Sequence, residues 1–126
     1  MDVNYDEIKE QQPVAEGEYT LVISDVREKL DNDTQDLKGL LVICEIEGND
    51  EAANVLHNLS FPLQSDDLEK IKNKMLFMKR FLTHFSIPFN NGIDLDTFVG
   101  KRAKCNLVLE DYQGTISNKI KLPNIK

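Results

Sequence analysis

Lys101, Arg102, Lys104, Lys119 and Lys121 crowd into one stretch of sequence that also holds Tyr112. Ammonium and guanidinium groups attract phosphates and displace their counterions, and a flat phenol offers a surface on which a nucleobase stacks. Cations beside a ring are what a single-stranded polynucleotide requires. Asn106, Ser117 and Asn118 add hydrogen-bonding groups for sugar or base edges, Asn118 only from the opposite side of its strand. A second set, Arg27, Lys29 and Lys38, flanks an acidic turn, while His57 and Phe61 share a later strand. Each has a plainer reading. Strand lysines solubilise a face and discourage edge-to-edge pairing. Tyr112 can pack over a hairpin end, and Tyr19 and Phe61 suit a core.

Whether these cations act together depends on strand register. Arg102 to Tyr112 and Thr115 to Leu122 read as two strands joined by Gln113-Gly114, a two-residue connection. That connection sets Tyr112 opposite Thr115, Glu110 opposite Ser117, Val108 opposite Lys119 and Asn106 opposite Lys121. One face then carries Lys104, Asn106, Tyr112, Thr115, Ser117, Lys119 and Lys121, with Arg102 sharing their parity and Lys101 adjacent. The other carries Cys105, Leu107, Leu109, Ile116, Ile120 and Leu122. A slip of one residue buries the lysines, so the register is strongly specified.

The elements that must position this hairpin follow from the rest of the chain. Tyr19 to Lys29 is β-branched and alternating, and residues 30–36 form a polar turn. Gly39 to Glu47 is a nearly continuous apolar run of strand length, and Asn54 to Phe61 is a third strand stopped by Pro62. Beyond it Leu68, Ile71, Met75, Met78, Leu82 and Phe85 recur every three or four residues, the stripe of an amphipathic helix. Ser65 or Asp66 can cap its start, and the helix lysines read as a solvated face. Three strands, one long helix and two strands make a mainly β fold. The expectation is a five-stranded OB-fold-like barrel with the helix between strands 3 and 4. Residues 1–16 read as a flexible acidic arm and 17–126 as the domain.

Catalytic signatures are missing. The chain has two histidines, His57 and His84, and no HExxH, P-loop, GxGxxG or GxSxG sequence. Asp31, Asp33 and Asp36 resemble a calcium loop superficially, but Asp36 and Val42 stand where its glycine and bidentate glutamate belong. Cys44 and Cys105 sit far apart in apolar runs and read as reduced, buried thiols. A non-enzyme without metal or cofactor is expected.

The chain resembles a phage and prophage family of small OB-fold proteins similar to phage single-stranded DNA-binding proteins. The likeness rests on Pro13 with Glu16-Gly17-Glu18-Tyr19-Thr20, on Lys38-Gly39-Leu40-Leu41-Val42, and on Met78-Lys79-Arg80-Phe81-Leu82. Phe98-Val99-Gly100-Lys101, Glu110-Asp111-Tyr112-Gln113-Gly114 and Asn118-Lys119-Ile120 complete it, so it covers roughly residues 13–123. The resemblance implies a single-stranded DNA partner, with RNA as an alternative, contacts with replication or recombination proteins, and a homo-oligomer as one arrangement. The competing expectation is a protein-interaction module, a replication accessory or structural phage component, using the same barrel face.

Charge bounds these readings. The formal net charge is -7, yet residues 101–126 hold six bases against two acids. A local basic patch can bind phosphate on an acidic protein. Residues 1–18 hold six acids and one lysine, which suits an internal mimic of nucleic acid. No apolar run reaches the roughly 20 residues of a membrane helix, and the first residues lack a basic, then apolar, secretory pattern. A cytoplasmic protein is expected, in the host cell if phage-encoded.

Overall fold

A computed structural model describes residues 11–90 and 92–123. Five strands form one antiparallel sheet: β1 (Gly17–Leu30), β2 (Leu37–Ile46), β3 (Val55–Ser60), β4 (Arg102–Tyr112) and β5 (Thr115–Lys121). Among the described residues one α-helix, α1 (Leu68–His84), lies between β3 and β4 in sequence. The sheet order is β3-β2-β1-β4-β5. β1 is central because it pairs along most of its length with β2 and through Gly17–Val22 with β4. A register shift between Ile23 and Asp25 lets it serve both neighbours, since an extra residue in one strand bends and twists it. The edge strands β3 and β5 approach each other, but no hydrogen-bonded ladder joins them.

One face of this sheet and one side of α1 enclose the core. Leu21 and Ile23 of β1, Leu40, Val42 and Cys44 of β2 and Leu107 of β4 meet Phe81, Leu82 and Phe85 of the helix, with Phe98 from the loop before β4. Cys44 and Cys105 are both buried and free, and burial pushes each thiol up to about 12. At Gly39 an added Cβ would clash with the Leu59 carbonyl oxygen, so only glycine lets β2 and β3 approach this closely.

The closing hairpin has the register read from its sequence, Tyr112 to Thr115 through Asn106 to Lys121. Gln113 and Gly114 have φ of 51° and 85°, the left-handed pair of a tight turn whose twist matches the strands. Its inward side differs from expectation at the tip. Leu109 and Ile116 are 44% and 52% exposed, because they lie beyond the point where β1 starts at Gly17, opposite Leu107, and its pairing with β4 stops.

The helix differs too. Asp67 caps it by accepting from the Lys70 amide, while the Asp66 carboxylate turns back to accept from the Leu63 amide at 2.8 Å and from Lys74 Nζ at 2.6 Å. Those contacts, Lys74 foremost, hold Asp66 below the usual carboxylate range. Met78, Phe81, Leu82 and Phe85 are buried, but Leu68 and Met75 are 67% and 59% exposed. The first turns of α1 therefore overhang the sheet.

Residues 11–16 are tied down. The Gln12 amide donates to the Glu51 carbonyl and the Ala53 amide to the Gln12 carbonyl. Asn118, 5% exposed on β5, donates from Nδ2 to the Val14 carbonyl and accepts the Val14 amide at Oδ1, at 2.9 and 2.8 Å. This strap spans the opening between β3 and β5. The remainder of the expected arm, residues 1–10, lies outside the described residues. No described helix is long and apolar enough to cross a membrane.

Candidate nucleic-acid interface

Alternation along β4 and β5 sends every second side chain away from the core. Lys104, Asn106, Tyr112, Ser117, Lys119 and Lys121 all fall on this outward side, since their neighbours Cys105, Leu107 and Ile120 are buried. Tyr112 is 68% exposed. With Glu110, Gln113, Thr115, Ser117 and Lys119 it lines a shallow depression of about 390 Å³ at the end of the hairpin. Lys104 and Lys121 are exposed and Lys119 is half-buried. None of the three makes an ion pair among the described residues, so their charge is uncompensated by direct contact. Arg102 continues the line but pairs with Glu47 at 3.1 Å, a solvent-exposed bridge that contributes little to stability and that a phosphate can displace. Two acids interrupt the face. Glu110 lies in the depression, and Glu18 stands opposite Asn106 on β1.

The other expected residues lie elsewhere. Lys101 is half-buried just before β4, with its backbone bonded to Ile23 and Phe98. Arg27 pairs with Asp25 at 3.1 Å on the far half of β1, and Lys29 donates to Asn58 Oδ1 at 2.6 Å. Lys38, Lys29 and Lys74 surround a small hollow over Gly39. These cations form a group separate from the hairpin.

His57 does not join the outward face. Its partner in the ladder is the buried Val42, so the ring points inward and stacks on Phe81, with centroids 4.9 Å apart and planes 10° from parallel. Burial, then the nearby Lys119 charge, pushes its pKa down to about 4. At neutral pH this ring is an uncharged core group. Asn118 is likewise committed to Val14 and has no edge free for a base. Tyr19 donates its hydroxyl to the Ala15 carbonyl and packs against the core, as does Phe61.

Sequence reasoning missed two features. The strap is one, because an asparagine at an inward position is the only local signal for it. The other is an apolar groove beside α1, hidden because periodicity gives the face of a helix but not how far the sheet beneath it extends. No family model and no curated protein sequence matches the chain.

Proposed function

We propose that this protein is a non-catalytic single-stranded DNA-binding protein that uses the outward face of the β4–β5 hairpin. Lysine–phosphate contacts supply affinity and Tyr112 supplies base stacking. The observation that carries the reading is the convergence of Lys104, Lys119 and Lys121 with an exposed Tyr112 on one face, free of acidic partners in direct contact. The architecture supports it. The strand order, the helix after β3 and the close approach of β3 to β5 are compatible with a partly open OB-like barrel, a scaffold on which oligonucleotides bind. The role proposed on the resemblance to phage single-stranded DNA-binding proteins is in phage replication or recombination, in the host cytoplasm.

Fluorescence titration with labelled oligo-dT at low salt tests this directly. Micromolar or tighter binding that weakens with salt is expected, with weaker binding to duplex. Absence of saturable binding refutes the reading. A Lys119→Glu/Lys121→Glu variant, altered only at outward positions, should lose affinity while its circular dichroism spectrum is retained.

A second reading has one observation in its favour. The outward side of β2 and β3 presents Leu41, Ile43 and Leu56, the last 41% exposed, with Glu45, and the cation opposite Leu41, Arg27, is already paired with Asp25. That surface suits a protein partner better than a polyanion. Absence of oligo-dT binding by the wild type, together with association with a replication or recombination protein that Leu56→Glu abolishes, would favour it.

A further inference from the structure

Helix α1 is basic in an acidic chain. It carries four lysines and one arginine against a single acid, Glu69, where the whole chain has a formal net charge of -7. It also presents two apolar stripes. Met78, Phe81 and Leu82 close onto the sheet. Met75 and Leu76 do not, and are 59% and 39% exposed. With Lys72 and Lys79 they stand at positions i, i+3, i+4 and i+7, so the four share one side of the helix.

That side walls a groove of about 560 Å³. Phe61 and Pro62 line it from the segment before the helix, Phe89 and Ile93 from the segment after it, and Met78 and Leu82 from the core. The lining is apolar except for Ser60 and three lysines. Lys74 is held by Asp66 at 2.6 Å, whereas Lys72 and Lys79 are exposed and make no ion pair among the described residues. No carboxylate lines the groove among those residues. A chain with a surplus of acids thus keeps an apolar hollow edged by cations and clear of its own carboxylates.

We propose that this groove docks an acidic segment of a partner protein that carries apolar anchors between its carboxylates. Charge complementarity selects this occupant. The anchors enter the hollow, and carboxylates meet Lys72 and Lys79, which stand about 10 Å apart along the helix axis. Met75 and Met78 let the groove conform to the anchors, because an unbranched thioether adapts to irregular partners. Other occupants fit less well. A two-fold pairing with a second copy would set the lysines of one helix against those of the other. An apolar floor with a single hydroxyl gives the sugars and base edges of a nucleic acid little to bond. A bilayer presents a flat surface that a concave groove does not enter. The groove works independently of the hairpin and of its role toward DNA.

Fluorescence anisotropy of a labelled short peptide, aspartate interspersed with leucine and phenylalanine, titrated with the full chain tests the proposal. Saturable binding is expected, weakened by salt and about tenfold weaker when asparagine replaces aspartate in the peptide. Adding the peptide should shift the Met75 and Met78 methyl resonances. Met75→Glu and Lys72→Glu/Lys79→Glu alter exposed positions only. Each should lower affinity about tenfold or more with an unchanged circular dichroism spectrum. Lys119→Glu/Lys121→Glu should leave peptide affinity unchanged, which separates this site from the hairpin whether or not oligo-dT binds there. Absence of saturable binding, or affinity indifferent to Met75→Glu and to the two groove lysines, would overturn the proposal. Displacement of the peptide by oligo-dT would overturn it in favour of nucleic acid. In the absence of peptide binding, capture by phosphatidylglycerol vesicles that Met75→Glu abolishes would assign the groove to a membrane, and self-association that Met75→Glu abolishes would assign it to a second copy.

Discussion

One part of this protein's response to acid runs through a single ring. His57 stacks on Phe81 inside the domain with its pKa pushed down to about 4, against 6.5 when unfolded, chiefly by burial and secondarily by Lys119. Between those values the unfolded chain binds the proton that the folded chain refuses. The contribution of His57 to stability is therefore complete above pH 6.5 and is lost as pH falls toward 4. The two values give a loss of about 2 kcal/mol at pH 5, approaching about 3 kcal/mol below pH 4. His57→Phe keeps a flat ring against Phe81 and removes the titration. Urea denaturation of both proteins at pH 7.5 and pH 5 isolates the effect, because the carboxylates common to both cancel in the difference. The wild type should lose about 2 kcal/mol more than the variant over that interval. An NMR titration of the His57 ring checks the premise. A midpoint near 6.5, or a difference under about 0.5 kcal/mol, refutes the argument.

Three further outcomes are expected. Gly39→Ala must part β2 from β3 where the new methyl meets the Leu59 carbonyl, so it should destabilise by about 1–3 kcal/mol in thermal unfolding. Asn118→Ala removes both bonds to Val14 and should lower stability by about 2 kcal/mol, with faster hydrogen exchange at the Val14 amide. In oligo-dT titrations over a salt series, Lys119→Glu/Lys121→Glu should lower the steepness of log K against log salt by about 1.4 or more, from about 0.7 per phosphate contact. In the same series Tyr112→Ala should cost about 1–3 kcal/mol with an unchanged slope.

Register and element order were legible because they depend on local rules. A two-residue connection fixes the β4–β5 pairing, and a one-residue slip would bury Lys119 and Lys121, so the sequence admits one answer. The helix was legible as an element but not as a packed object. Its apolar spacing runs from Leu68 to Phe85, yet only the half from Met78 onward finds a sheet beneath it. Spacing is a property of the helix, whereas coverage is a property of its neighbours. Among the candidate site residues, the hairpin set shares one outward side because parity fixes where each side chain points. His57 went astray for the same reason in reverse. Nothing local sets which face of β3 turns inward until the pairing of His57 with Val42 is known. Asn118 was read as a contact for nucleic acid because its partner at Val14 lies 104 residues earlier in the chain, beyond the range of any periodicity.

The Asn118–Val14 clamp also bears on how the domain is assembled. It joins a residue near the start of the described chain to one on its final strand, and the sheet order places β4 and β5 on the flank of β1, the first strand made. During synthesis β1, β2 and β3 can pair while the rest is still being made, but the flank of β1 that awaits β4 stays bare until the hairpin emerges. Long-range closures of this kind are slow, since the entropy of a large loop is lost before the contact forms. Translation thus leaves a half-built sheet with an open edge from the completion of β3 at Ser60 until β4 and β5 are made, and the clamp is the last stitch.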